Sequence, residues 1–227
     1  KLEGSKKYLL NANLQGANLE AADLEGAILE GANLSDANLK KIYLSRAQIS
    51  KANLSRADLT EANLSGANLE KCNLGGANMQ NAYCRRADFR GANLGKTNLI
   101  KANLRECSLF KTWIKNADCS GTNMQNVKGA QSKMQGTVFK GAKMEGADFS
   151  GAQLEGTNLE DAGLQTANLN RAVLRGANLT RTDLRGANLR YVVGLTREQI
   201  KLAIINKKTL LPHHIKVKWT SETSFDF

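Results

Sequence analysis

Four cysteines and two histidines are the residues on which metal, redox or nucleophilic chemistry would have to rest. Cys72, Cys84, Cys107 and Cys119 form no C-x-x-C pair, the spacing that a zinc site or a redox dithiol would need. They are expected as free thiols of an apolar interior, where cysteine behaves as a small hydrophobe. His213 and His214 are adjacent and follow Pro212, and neighbours in an extended segment point to opposite faces, so they are not expected to share a metal. The chain has no glycine-rich phosphate loop, no nucleophile elbow and no carboxylate pair in an identifiable pocket. Catalytic residues, metal ligands and cofactors are therefore all expected to be none, and the chain is read as not an enzyme.

The elements that position these residues follow from a period of five. From Leu9 to Leu189 every fifth residue is Leu or a close substitute, and the residue two before it is nearly always small. Ala12-Asn13-Leu14-Gln15-Gly16 and Ala177-Asn178-Leu179-Thr180-Arg181 show the unit. A helix needs apolar positions near every 3.6 residues and a strand every 2, so neither fits. A short extended side followed by a corner does fit. Gly16, Gly26, Gly66, Gly141 and Gly176 stand at the third place of that corner, where a type II turn needs positive φ. The small residue and the Leu then face an inner axis, while Asn or Asp sits beside the corner and can satisfy backbone groups. One unit cannot bury its Leu alone, so coils must stack.

In this pattern the chain resembles the pentapeptide-repeat proteins, over residues 7–192. The resemblance implies an all-β fold, a right-handed quadrilateral β-helix with four pentads per coil, about nine coils here. A strand spacing of ~4.8 Å makes that a rod on the order of 43 Å long. Burial of each Leu at roughly 1.5–3 kcal/mol makes one elongated structural domain sufficient: 1–192 as the β-helix, with 193–227 as its cap helix and extended tail. The family is abundant in bacteria, especially cyanobacteria, and also occurs in chloroplasts.

After the last unit, Leu195-Thr196-Arg197-Glu198-Gln199-Ile200 carries a capping box and a staple and predicts a helix over 197–206. Its stripe of Ile200, Ala203 and Ile204 would seal the final coil, and GLT-x-EQI followed by TLLP resembles a segment that follows the repeats in some family members. Ile215-Lys216-Val217-Lys218-Trp219 alternates like an edge strand, a route to a homodimer through the tail or to a strand lying on its own rod.

Net charge +11 directs attention to the surface. Known DNA-mimic members of the family, which occupy the DNA site of type II topoisomerases, are strongly acidic, so the sign disfavours that role. Residues 1–36 carry three Lys against six acids, whereas cations crowd two stretches. One includes Arg85, Arg86, Arg90, Arg105 and Lys111; the other includes Arg171, Arg175, Arg181 and Arg185. With 20 residues per coil, Arg85 stacks over Arg105 and Lys51 over Lys71, like-charge contacts that a bound anion would relieve, while Arg86 over Glu106 is a ready ion pair. One coil departs from the pattern: Gly129 replaces an inward Leu, leaving a void or a bend, and Lys128, Lys133 and Lys143 replace the outward Asn or Asp, with Val138 in the fourth place. Trp113 occupies the same outward class of position, and it and Trp219 are the aromatics most expected at the surface.

These residues form the candidate interaction surface. The expectation is a noncatalytic scaffold that binds a partner protein through its sides or basic end. The alternative is charge-driven docking to an anionic membrane surface or another polyanion, as the soluble part of a longer membrane protein. Nucleic acid is disfavoured by the scarcity of aromatics. Free core thiols favour a cytoplasmic location. The first residue is Lys rather than Met, which leaves a membrane-anchored or organellar parent protein open.

Overall fold

The computed structural model describes residues 8–227, so Lys1, Glu3, Lys6 and Lys7 of the N-terminal charge balance lie outside the described residues. In a regular pentad every backbone N–H finds an acceptor, as Ala52–Arg56 illustrates. Ala52 N–H closes the preceding corner on Ile49 O (3.1 Å), Asn53 N–H donates to Ala32 O in the coil before (2.9 Å), and Leu54 and Arg56 donate to Asn73 O and Gly75 O in the coil after (2.7 and 3.1 Å). The fifth N–H, that of Ser55, has no carbonyl to meet and donates to the side-chain Oδ1 of Asn53 at 3.2 Å. The Asn or Asp of each unit is thus the acceptor that the geometry of the side leaves wanting.

Parallel bridges join residues 20 apart, such as Asn13 to Asn33 to Asn53, in four series. Four pentads therefore make one turn around the axis. The sides are numbered in chain order: side 1 carries Gln48, Asn68 and Asp88; side 2 carries Asn53, Asn73 and Asn93; side 3 carries Asp58, Asn78 and Asn98; side 4 carries Tyr43, Asn63 and Tyr83. Along sides 2 and 3 the amides form ladders, Asn53 Nδ2 donating to Asn33 Oδ1 and Asn73 Nδ2 to Asn53 Oδ1.

Positive φ at the corners is as the turn requires, but glycine is not its main bearer. Lys51, Arg56 and Glu61 hold φ of 60°, 57° and 60°. A left-handed residue with a Cβ costs about 1–2 kcal/mol. The corner N–H repays this by bonding across the coil, as Lys51 does to Glu70 O at 2.8 Å.

The small residue and the central Leu of each unit fill the axis and are buried from residue 24 onward. The expected void at Gly129 is absent. Its place on side 1 lies beneath Phe149, and a Cβ on Gly129 would stand 2.7 Å from two carbons of that ring. The ring of Phe149, one coil on, thus takes space that a side chain at 129 would need. Thr and Ser in small inward positions satisfy their hydroxyls on backbone, as Thr97 does on Leu74 O and Ser132 on Gly129 O.

The helix, α1, spans Arg197–Leu202, with Thr196 and Gln199 forming the capping box. It stops four residues short of expectation because Ile204 returns to the wall, pairing with Asp183 on side 4 and remaining 44% exposed. Ile205, not Ile204, joins Ile200 in the interior. Gln199 Nε2 donates to Leu174 O (3.0 Å) and Ala177 O (2.8 Å), carbonyls left by the last complete coil. Gly194, at φ 75°, passes so close to Arg175 that a Cβ would lie 2.9 Å from its Cα. The tail strand is shorter than expected: β1, Lys218–Trp219, pairs antiparallel with β2, Phe225–Asp226, of the same chain. Trp219 is partly buried against Phe225 rather than standing free (ring centroids 5.6 Å). Among the described residues no helix is long and apolar enough to cross a membrane.

Candidate functional site

Replacing the outward Asn changes a side in two ways: it removes the acceptor for the N–H two residues on, and it adds whatever the new side chain brings. At Trp113, Lys128, Lys133, Val138 and Lys143 the dependent N–H groups of Lys115, Ala130, Gln135, Lys140 and Glu145 have no protein acceptor among the described residues. This stretch presents backbone donors and ammonium groups together.

The thirteen expected surface residues divide by side. Arg85, Arg105, Lys143 and Arg185 lie on side 4, with Arg86 at its corner with side 1 and Arg181 at its corner with side 3. Arg90 and Lys128 lie on side 1, Lys111 and Arg171 on the corner between sides 1 and 2, and Trp113, Lys133 and Arg175 on side 2. The three lysines of the irregular coil do share one height, but on three sides, and Lys143 is turned away from Trp113.

Ion pairing separates these cations further. The stack of Arg85 over Arg105 needs no external anion, because Glu106 engages Arg85 (3.2 Å), Arg86 (2.6 Å) and Arg105 (3.2 Å) at once. The pairing of Arg86 with Glu106 is as expected. The hydrogen bond from Arg86, with the charge of Arg85 beside it, holds the Glu106 carboxyl below the usual carboxylate range. Lys51 and Lys71 likewise have separate partners, Glu30 (2.8 Å) and Glu70 (3.2 Å). Arg90 is shared by Asp88 and Glu70, Arg181 by Glu160 and Asp161, and Arg185 is held by Asp183. Among the described residues Lys111, Lys128, Lys133, Lys143, Arg171 and Arg175 make no ion pair.

Two of those free cations lie on aromatic rings. Lys133 Nζ is 4.8 Å from the centroid of Trp113, one coil below it, and Lys111 Nζ is 5.1 Å from that of Phe110. Trp113 remains 51% exposed. Phe110, Lys111, Trp113 and Lys133 therefore make a ledge of rings and ammonium groups around one corner. Sequence reasoning missed Phe110, whose position after the central Leu is outward by the period alone. It also missed the half-exposed pair Tyr43 and Tyr83, 40 residues apart and hence in one column of side 4.

The four cysteines are free and buried. Burial pushes the Cys72 and Cys107 thiols up to about 12, and their Sγ atoms donate to Ile49 O and Cys84 O. His213 and His214 lie edge to face, and His214 Nε2 meets Leu195 O at 3.2 Å. Among the described residues no group of three or more His, Cys, Asp or Glu is placed to hold a metal.

A family model described as pentapeptide repeats matches eight copies, over residues 12–47, 37–76, 67–106, 130–161 and 167–192. No curated protein matches the chain. Among solved structures, HetL, a pentapeptide repeat protein involved in heterocyst differentiation regulation from the cyanobacterium Nostoc sp. strain PCC 7120, is 31% identical, with 87% of this chain and 86% of that one covered and a TM-score of 0.45. QnrB1, a plasmid-mediated fluoroquinolone resistance protein, has the same fold at 14% identity, with 76% and 89% covered and a TM-score of 0.65. The period of five, the inward Leu columns, the 20-residue register and these matches agree: the chain belongs to the pentapeptide repeat family.

Proposed function

We propose that the chain is a right-handed, four-sided rod of about nine coils that works without catalysis, docking an acidic partner protein on the ledge around Trp113. The carrying observation is the conjunction there of exposed rings, unpaired ammonium groups and unpartnered backbone N–H groups, while Arg85, Arg86 and Arg105 on the far side are already engaged by Glu106. Phe110, Lys111 and Trp113 of this ledge also fall in 107–129, a stretch that the family model passes over. A partner rich in carboxylates would meet donors only, and Trp113 supplies the large apolar anchor on which interface energy concentrates. Arg171 and Arg175 extend the same two sides toward the C-terminal end. A DNA-mimic role is not part of this reading, since the net charge is +11.

The test is affinity capture from source-cell lysate treated with nuclease and detergent and washed at rising salt. A stoichiometric acidic protein that survives moderate salt, and is lost from a Trp113→Ala, Lys133→Glu variant, supports the reading. Retention of lipid or nucleic acid alone, released as salt rises, would assign the basic surface to a polyanion instead.

A further inference from the structure

On side 4, Tyr43 and Tyr83 stand 52% and 56% exposed with Asn63 between them. They flank a groove of 450 Å³ that is also lined by Lys41, Glu61 and Ser65. A second depression, lined by Asp23 and Glu25, lies on the other side of Tyr43.

Side 4 carries no amide ladder here. Asn63, over Tyr43, and Asn103, over Tyr83, have no rung acceptor of the kind that Asn53, Asn73 or Asn98 finds. The N–H groups of Ser45 and Arg85 also lose the side-chain oxygen that an Asn would have given them. Side 4 from residue 43 to 103 therefore repeats an aromatic ring and a set of free donors every two coils, about 9.6 Å at ~4.8 Å per coil.

We infer that this row is a docking groove for a proline-rich segment in the polyproline II conformation. Such a segment repeats every three residues at 3.1 Å each, about 9.3 Å, and leaves its carbonyls unbonded. Its prolines carry no N–H, so it presents mainly acceptors, the complement of a row that presents donors. Pyrrolidine rings pack on aromatic faces, the mode by which proline-rich ligands occupy aromatic-lined grooves. Charge sets the direction: Glu25 lies at one end of the row and the Arg85–Arg105 pair at the other, so a basic residue of the segment is placed at the Glu25 end. The groove is on the side opposite Trp113, and it stands independently of the ledge.

The experiment is selection of the full chain against two displayed peptide libraries, one with a fixed Pro-x-x-Pro core and random flanks, the other with alanine at both fixed positions. Selected peptides are then titrated by fluorescence anisotropy. Enrichment from the proline library only is expected, with Arg or Lys at one flank. Tyr43→Ala and Tyr83→Ala should each weaken binding about tenfold, the scale of an interface aromatic anchor. Tyr191→Ala, at a corner and 65% exposed, should leave it unchanged. All three side chains are outward, and circular dichroism checks that the rods are intact. No enrichment over the alanine library, or equal losses from Tyr191→Ala, overturns the inference. Saturable binding of a β-1,4-linked oligosaccharide, lost with the same two tyrosines and without proline selectivity, overturns it in favour of a glycan.

Discussion

The pairing of Gly129 with Phe149 makes a quantitative prediction. Gly129→Leu restores the repeat's usual inward residue, yet even a Cβ there meets two ring carbons at 2.7 Å, and Leu adds three more carbons. Overpacking of this kind costs about 1–3 kcal/mol. Phe149→Leu alone leaves the glycine's space empty and costs about 1–2 kcal/mol in lost burial and cavity. The double variant rebuilds an ordinary pair of inward leucines and should return to within ~0.5 kcal/mol of the wild type. The two changes are therefore coupled by at least about 1.5 kcal/mol. Guanidinium chloride unfolding followed by circular dichroism reads this, provided that the four proteins share one m value. A Gly129→Leu protein as stable as the wild type, or strictly additive losses in the double variant, would refute the compensation.

Three other outcomes follow from the structure. The carboxyls of Glu106, Asp36 and Asp161 are held low by hydrogen bonds from Arg86, Arg56 and Arg181 respectively. Their folded forms bind protons more weakly than the unfolded chain, so the stabilisation is complete above the ordinary carboxylate range and is lost as pH falls through and below it. Tm should hold from pH 7 to about 5 and then drop, less steeply in Glu106→Gln; parallel profiles would remove Glu106 from the account. At pH 8 Ellman's reagent should find none of the four thiols promptly in the native protein and all four in denaturant, because burial raises their pKa; a prompt native thiol would contradict the packing. Gln199→Ala strands two carbonyls and the Thr196 N–H, and should cost about 1–3 kcal/mol and speed amide exchange at Arg181 and Leu184 more than at Leu54; uniform exchange would mean that α1 does not secure that end.

The period of five revealed the inward Leu columns, the corners and the acceptor role of Asn, because each is a local consequence of one pentad. What escaped a linear reading depends on residues one coil apart. Phe149 fills the place of Gly129 from the next turn, and Glu106 serves three arginines that lie on two successive coils. Composition marked Arg85, Arg86 and Arg105 as a basic cluster, whereas these three share Glu106, and Lys111 and Lys133 are among the cations with no ion pair. The helix boundary failed for a related reason. The apolar spacing of residues 200–204 suggests a helix, but Ile204 and Ile205 are β-branched and an open wall on side 4 offers Ile204 N–H the carbonyl of Thr182 at 2.9 Å, so the ladder prevails. Tyr43 and Tyr83 were overlooked because a separation of 40 has meaning only once the turn is known to hold 20.

That 20-residue turn makes chain length an angular coordinate. An indel of one residue would turn the wall inside out, but a whole pentad leaves every side chain facing as before and rotates all that follows by a quarter revolution. Tyr83 and Trp113 now point in opposite directions. Excising two pentads between them would carry the tryptophan to the rung held by Asn103, directly over Tyr83. The relative bearing of two recognition surfaces on this rod is thus indexed in steps of five residues, with every inward and outward position kept.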